Sequence, residues 1–548
     1  MMKKLIILFA VIACVSPAKS QSQAGQAPQV TGQDTTGALP RLEIPEITIV
    51  GKKAIMLPFA RKGEIYDVPV YDAPPPDTSM IGGRQTISLP YGSLPRYEEH
   101  QDPWRASVEG AFGSFSTGRA TGYLDYLTQR WGMSGSGGFG TTQGHTTNSS
   151  GSMVRLGLDA HTLVETDNDF LRAFRSSGGL DLRHDSYGMQ IIPVERRKNA
   201  IGVRAQAGSV NRSGNVVDLT LAANITKITD AGSGIDSGVS AVSPDLRAHL
   251  ATDAGRARFM ADFAFTGSSL NYDHPSESPS LIGVNAGVRW QLSDQWLIQA
   301  GAIFQRGSGS SGDSRSLLAP AAVVTWQAEQ DHEWNFWLQP EIHLTTYDDH
   351  FRQNPFLIRE IAIRPERRPV RFGSTFSYKD RDLSILLGGS FTHSLDKDVT
   401  IADSAGHLAL DYIDADQFSV TAEGTLYPES PLRLAFSGKV QPGREPGRSV
   451  QISMLPLAEA AVRGEADLGR TATVWSALEY RSKRNIDRDG RRTLGDVALV
   501  NAGLSMNAIP RTAISFEADN LFNTADQWWA GFVAPGRRFT VSAKVSLK

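Results

Sequence analysis

The sequence predicts an all-β chain: a transmembrane antiparallel β-barrel of about 22 strands behind an extended, largely irregular N-terminal segment. Three observations carry that expectation. Segments of about ten residues alternate apolar and polar side chains from Trp104 to the end of the chain. After the first residues, no apolar run reaches the roughly 18 residues that a spanning helix needs. The chain also opens on an export signal, so the alternating part lies beyond the inner membrane.

The opening "MMKKLIILFAVIACVSPAKSQSQ" has a positive start at Lys3 and Lys4 and an apolar stretch from Leu5 to Val15. Ala18, Lys19 and Ser20 form an A-x-S cleavage site. Residues 1–20 therefore read as a signal peptide, too short to cross a bilayer and remain. Val11, Ile12, Ala13 and Cys14 also fit a lipobox, whose cysteine would be lipidated after cleavage. Cys14 is the only cysteine, so either cut leaves no disulfide framework.

Residues 21–103 differ in composition from the rest of the chain. "QSQAGQAPQVTGQDTTG", "YDVPVYDAPPPDTSMIGG" and "LPYGSLPRYEEHQDP" are punctuated by Pro and Gly, which leaves little room for long elements. This part reads as a periplasmic tether with isolated strands. One such strand is "EIPEITIVGKK", where β-branched residues sit behind Pro45.

Residues 104–548 read as the barrel. In "RARFMADFAFT", Ala257, Phe259, Ala261, Phe263 and Phe265 share one face, against Arg256, Arg258, Met260, Asp262 and Thr266. "LIGVNAGVRWQL" puts Ile282, Val284, Ala286, Val288 and Trp290 opposite Gly283, Asn285, Gly287, Arg289 and Gln291. "DQWLIQAGAIFQ", "QFSVTAEGTL" and the closing "RFTVSAKVSLK" repeat the pattern. A soluble sandwich also alternates, but its strands are typically about 5–6 residues long. Strands twice that length suit a tilted bilayer crossing, and backbone in lipid must close on itself.

The connections alternate in length. Short ones fall at Leu292-Ser293-Asp294, Lys379-Asp380-Arg381 and Pro428-Glu429-Ser430-Pro431. Longer polar ones include "QGHTTNSSG", "NYDHPSESPS", "RGSGSSGDSR", "TTYDDHFRQN", "SLDKDVTIADS" and "SKRNIDRDGRR". Short turns on one rim and long loops on the other is the outer-membrane arrangement. Inward charges, among them Arg258, Asp262, Arg289, Glu341 and His343, are expected to wet the lumen. Their mixed sign gives no selectivity.

The end of the chain, "SFEADNLFNTADQWWAGFVAPGRRFTVSAKVSLK", resembles the closing strands of TonB-dependent outer-membrane receptors. The matching residues are Asn520, Leu521, Phe522 and Asn523, then Pro535, Gly536 and Arg537 before the last strand. "VEGAFGSFSTGRATGYLDY" and "NPFLIREIAIRPERRPVRFGSTFSYKDRDLSILLGGSFTHSLDKDV" are similar to wall segments of that family. Asn and Gly would set the turn into the final hairpin, and Trp528, Trp529 and Phe532 would suit an interfacial girdle.

The resemblance implies a nutrient-uptake role, a site in the Gram-negative outer membrane and insertion by the barrel assembly machinery. It implies an unidentified small-molecule ligand and coupling to the TonB energy-coupling complex. It also gives residues 44–51 a role: Glu46, Ile47, Thr48, Ile49, Val50 and Gly51 look like the TonB box, which adds as a strand to TonB. The departure lies at residues 52–103, too short and proline-rich for the plug domain that the family carries between box and barrel. A passive or partner-gated channel and a non-transporting scaffold are the alternative readings.

The motifs carry no catalytic spacing: there is no H-E-x-x-H, complete P-loop or G-x-S-x-G, and no cofactor or metal is expected. "YDDH" at Tyr347 to His350 sets carboxylates beside a histidine, in what reads as a solvated loop. "NIDRDG" lacks the closing Glu of a calcium loop. "RPERRPVR", from Arg364 to Arg371, reads as a polar rim or lumen lining that would also attract anions. A pI near 6.4 and a net charge of -3 give no basic field for nucleic acid.

Overall fold

A computed structural model describes residues 104–547 except 129, 166–172, 192–193, 212–214, 233–236, 272–276, 330, 404–405, 428–429 and 470. Its wall is a closed antiparallel barrel of 22 strands. The first eight are β1 (Trp104–Gly113), β2 (Thr117–Leu127), β3 (Trp131–Thr142), β4 (Gly151–Glu165), β5 (Ala173–Met189), β6 (Val194–Val210), β7 (Val216–Ala231) and β8 (Ser237–Ala254). Then come β9 (Ala257–Gly267), β10 (Ser280–Gln291), β11 (Trp296–Ser308), β12 (Ser314–Glu329), β13 (His332–Leu338), β14 (Glu366–Lys379), β15 (Leu383–Ala402) and β16 (Leu408–Leu426). The wall ends with β17 (Leu432–Val440), β18 (Ala458–Leu468), β19 (Ala472–Arg481), β20 (Val497–Ile509), β21 (Thr512–Asp519) and β22 (Arg538–Leu547).

Closure is made by β1 and β22, paired from Ala106 with Leu547 to Gly113 with Thr540. Each strand therefore has a neighbour on both sides, which satisfies the ladder where lipid offers no partner. The alternation read from the sequence sets the register. Val284 on β10 lies between Phe263 on β9 and Phe304 on β11, and all three face outward. One residue along, Asp262, Asn285 and Ile303 form the inward row. A cation at the centre of the outward row is expected to be costly. Val284→Lys should lose about 2–4 kcal/mol of folding free energy in lipid, read as a lower urea midpoint for the heat-modifiable folded band.

One rim carries short turns, such as residues 255–256, 292–295, 380–382 and 510–511; the other carries 268–279, 339–365, 441–457, 482–496 and 520–537. The short-turn rim is ringed by outward aromatics. Trp296 stacks on Trp326 at 5.7 Å between ring centres, and Trp334 meets Phe376 at 4.6 Å. Trp104, Tyr126 and Trp131 continue the belt at 4.4 and 4.7 Å. Such a girdle sits at a lipid–water boundary.

Two expected loops are largely wall. "RGSGSSGDSR" contracts to residues 309–313, because β11 runs to Ser308 and β12 starts at Ser314. "SLDKDVTIADS" lies within β15 up to Ala402. A bulge between Ser394 and Lys397, with Asp396 at φ 56°, absorbs the polar residues, and Val399, Thr400 and Ile401 then resume pairing with β16. β15 and β16 consequently run to 20 and 19 residues and stand tall at the long-loop rim.

Candidate functional site

That rim is where the molecule departs from a plain tube. After β13 the wall continues only through Glu341–His343, which pair with Arg368, Arg367 and Glu366 at the start of β14. Between these anchors the chain leaves the wall and folds across the mouth. Tyr347–Gln353 form α1, a single helix of 7 residues. It starts because Thr346 accepts from the Asp349 amide at 3.3 Å, and Asp348 and Asp349 fill its first turn. Asn354 and Pro355 end it. The segment then runs extended: Leu357, Ile361 and Ile363 are buried, while Ile358, Glu360, Ala362 and Arg364 face out.

The underside packs on inward residues of distant strands. Tyr347, Phe351, Leu357, Ile361 and Ile363 join Tyr187 of β5, Ile228 of β7, Val239 of β8 and Leu408 of β16 in one apolar cluster. Each of the five is at most 3% exposed. Their burial contributes on the order of 8–15 kcal/mol, an upper figure. Phe356 stacks on Phe532 at 3.9 Å and meets Tyr187 edge-on at 5.8 Å. The loop 520–537 thus reaches over from β21 and β22 to meet residues 344–365.

Charged pairs fasten this lid to the wall. Asp348 receives the Lys198 ammonium at 2.9 Å, the Thr226 hydroxyl at 2.9 Å and the Arg352 guanidinium at 2.6 Å. Burial alone would push the Asp348 carboxyl up, but Lys198 and Arg352 outweigh it and hold it well below the usual carboxylate range. Asp230 on β7 takes Arg196 from β6 and Arg359 from the lid, both at 2.8 Å. Arg196 also donates to the carbonyls of Pro355 and Leu357. Burial lowers His350 below the ordinary histidine value, against the pull of Asp398 and Asp349, and its Nδ1 lies 3.7 Å from Asp398.

At the anchors, Arg368 bridges Glu341 at 2.6 Å and Glu366 at 2.7 Å, and Arg371 adds a contact to Glu341 at 3.3 Å. Within "RPERRPVR", Glu366, Arg368 and Arg371 thus form a packed ion network, and Glu341 is clamped by two arginines where a wetted lumen charge was expected. "YDDH" is likewise corrected. The short helix buries Tyr347, Asp348 and His350, because Asp348 finds its partners on β6 and β7 and His350 meets Asp398 of β15, which sequence spacing does not reveal. No group of three metal-ligating side chains occurs among the described residues. In "NIDRDG", Asp487 accepts from the amides of Arg491 and Arg492, and Asp489 pairs with Arg448.

The C-terminal motif forms a tight turn. Asn520 and Asn523 take left-handed φ of 49° and 56°. Asn520 exchanges two bonds of 2.8 Å with the backbone of Thr524, and Asn523 accepts from the Arg537 amide at 2.9 Å. A Cβ at Gly536 would press on the Asn523 side-chain oxygen, so a larger residue there would displace the Asn523 bond to Arg537. Leu521 donates to the Val500 carbonyl at 2.8 Å, Phe522 is exposed, and Pro535 precedes the last strand. Phe532 and Trp529 are corrected: they join the apolar mouth cluster and no lipid girdle. Glu46, Ile47, Thr48, Ile49, Val50 and Gly51 lie outside the described residues.

No family model matches the sequence, and no curated protein matches it. Solved structures do match the fold. The FrpB iron transporter of Neisseria meningitidis (F3-3 variant) aligns with TM-score 0.66 at 10% identity, covering 82% of each chain. The ferric yersiniabactin uptake receptor FyuA of Yersinia pestis gives 0.64 at 13%, over 82% of this chain and 81% of its own. The copper transporter OprC gives 0.63 at 10%, over 81% of both chains. At these identities the likeness is one of fold: the chain shares the closed 22-stranded antiparallel barrel of these transport proteins.

Proposed function

We propose that the protein is a TonB-dependent receptor-like transporter that takes up a scarce nutrient across the outer membrane. The observation that carries this reading is the closed 22-stranded barrel, shared along most of both chains with transporters of iron, a siderophore and copper. Glu46, Ile47, Thr48, Ile49, Val50 and Gly51 supply the coupling strand: their β-branched run favours an extended backbone that TonB can pair with. The ligand is a small molecule captured from outside. A partner-gated channel is the second reading, favoured by the lid across the mouth.

Deleting residues 46–51 is expected to abolish binding of the purified protein to the periplasmic domain of TonB in titration calorimetry. Substituting Thr48→Pro should do the same, since proline removes a ladder donor from the added strand. Unchanged binding by both variants would remove the coupling role and leave the channel.

A further inference from the structure

The lid across the mouth has the construction of a gate. Its two ends stand side by side in the wall, where His343 and Glu366 are register partners of one antiparallel pair. The segment can therefore leave the mouth without unzipping β13 from β14. Between its ends, Leu357 bridges Leu408, with the Ile358 amide on the Leu408 carbonyl at 2.8 Å. Ile363 adds an exchange with Ser310, its amide on the Ser310 hydroxyl at 3.0 Å and its carbonyl on the Ser310 amide at 2.8 Å. The lid's remaining fastenings to β5–β8 are side-chain packing, ion pairs and side-chain bonds to lid carbonyls.

The chemistry of the seat separates a gate from a permanent stopper. Asp348 and Arg359 on the lid and Lys198, Arg196 and Asp230 on the wall sit where apolar side chains would dock more firmly. Charged partners regain water on separation, which offsets part of the loss when the apolar underside lifts. The outward row, Ile358, Glu360, Ala362 and Arg364, is already exposed to solvent in the shut state. Because Tyr347, Phe351, Leu357, Ile361 and Ile363 must leave together, the shut state is the resting one, and opening needs a ligand or partner that binds the displaced lid better.

We propose that residues 344–365 are an extracellular gate that sets the closed state of this barrel and opens by swinging out on its anchors at His343 and Glu366. The inference rests on the transport reading only in taking the long-loop rim as the outer one.

Two measurements on the full chain test it. In planar bilayers, replacing residues 346–363 by a short Gly/Ser linker should raise ion conductance at least tenfold over the unaltered protein. In intact cells, Ile228→Cys, beneath the lid, should react with an added membrane-impermeant maleimide at least tenfold faster once the lid is replaced. A lidless protein that folds, by its heat-modifiable gel mobility, without a rise in conductance would overturn the proposal. So would rapid labelling at position 228 with the lid in place. Loss of TonB binding bears on the transport reading and leaves these outcomes unchanged.

Discussion

Arg196→Ala is expected to weaken lid docking by about 3–5 kcal/mol, the range for breaking a buried ion pair from one side. The Arg196 side chain is 3% exposed, and its fork covers both oxygens of Asp230 at 2.8 and 3.0 Å. Its third nitrogen holds two lid carbonyls, Pro355 and Leu357, and the guanidinium lies 5.6 Å from the centre of the Phe351 ring. Alanine takes this donor from the buried Leu357 carbonyl, leaves Pro355 with the Tyr187 hydroxyl, and leaves Asp230 leaning on Arg359, so several penalties fall at once. Arg196→Lys keeps the charge but loses the fork, and should fall between. Hydrogen exchange over residues 347–363 reads the effect: protection should collapse in the alanine variant while the strands of the wall stay slow. Equal protection in both proteins would show that the apolar underside alone holds the lid.

The wall was legible because lipid imposes a rule on every residue of it. Phe259, Phe263, Val284 and Phe304 face outward as their alternation requires, and Asp262 faces inward, where it meets His249 at 2.6 Å. A rule with period two needs no knowledge of partners. The lid obeys no such rule. Its helix is too short for a helical period, and Asp348 is set by Lys198 and Thr226, more than a hundred positions earlier in the sequence. One signal was present. "FLIREIAI" places five large apolar residues in a connection far longer than a turn, and a long loop of that composition must cover something.

The same distinction explains the two misplaced segments. Phe532 and Trp529 have the composition of belt aromatics, yet Phe356 arrives from the far side of the mouth to stack on Phe532. Asp396 and Lys397 have the character of loop residues, but a bulge accommodates them and returns the strand to its register. The segment proposed for coupling, Glu46 to Gly51, would find its partner in another protein, so its reading depends on the binding measurement.

The anchors of the lid give the second large effect. Arg368 is the one guanidinium among the described residues bonded to both Glu341 and Glu366, and the Glu366 side chain is only 3% exposed. Arg368→Ala leaves Glu366 with Lys397 at 3.9 Å, beyond hydrogen-bond reach, and Glu341 with the single Arg371 contact at 3.3 Å. The expected cost is about 3–5 kcal/mol, seen as a lower urea midpoint of the folded band in detergent. Pairing Arg368→Met with Glu341→Gln and Glu366→Gln should recover part of it, because the carboxylates are no longer buried without a cation. A double-mutant cycle between Arg368→Ala and Glu366→Ala should give a coupling energy well above the roughly 0.3–0.5 kcal/mol scatter of independent sites. If the two losses simply add, the anchors are held by the β13 and β14 ladder alone, and the arginine is a lining residue of the mouth.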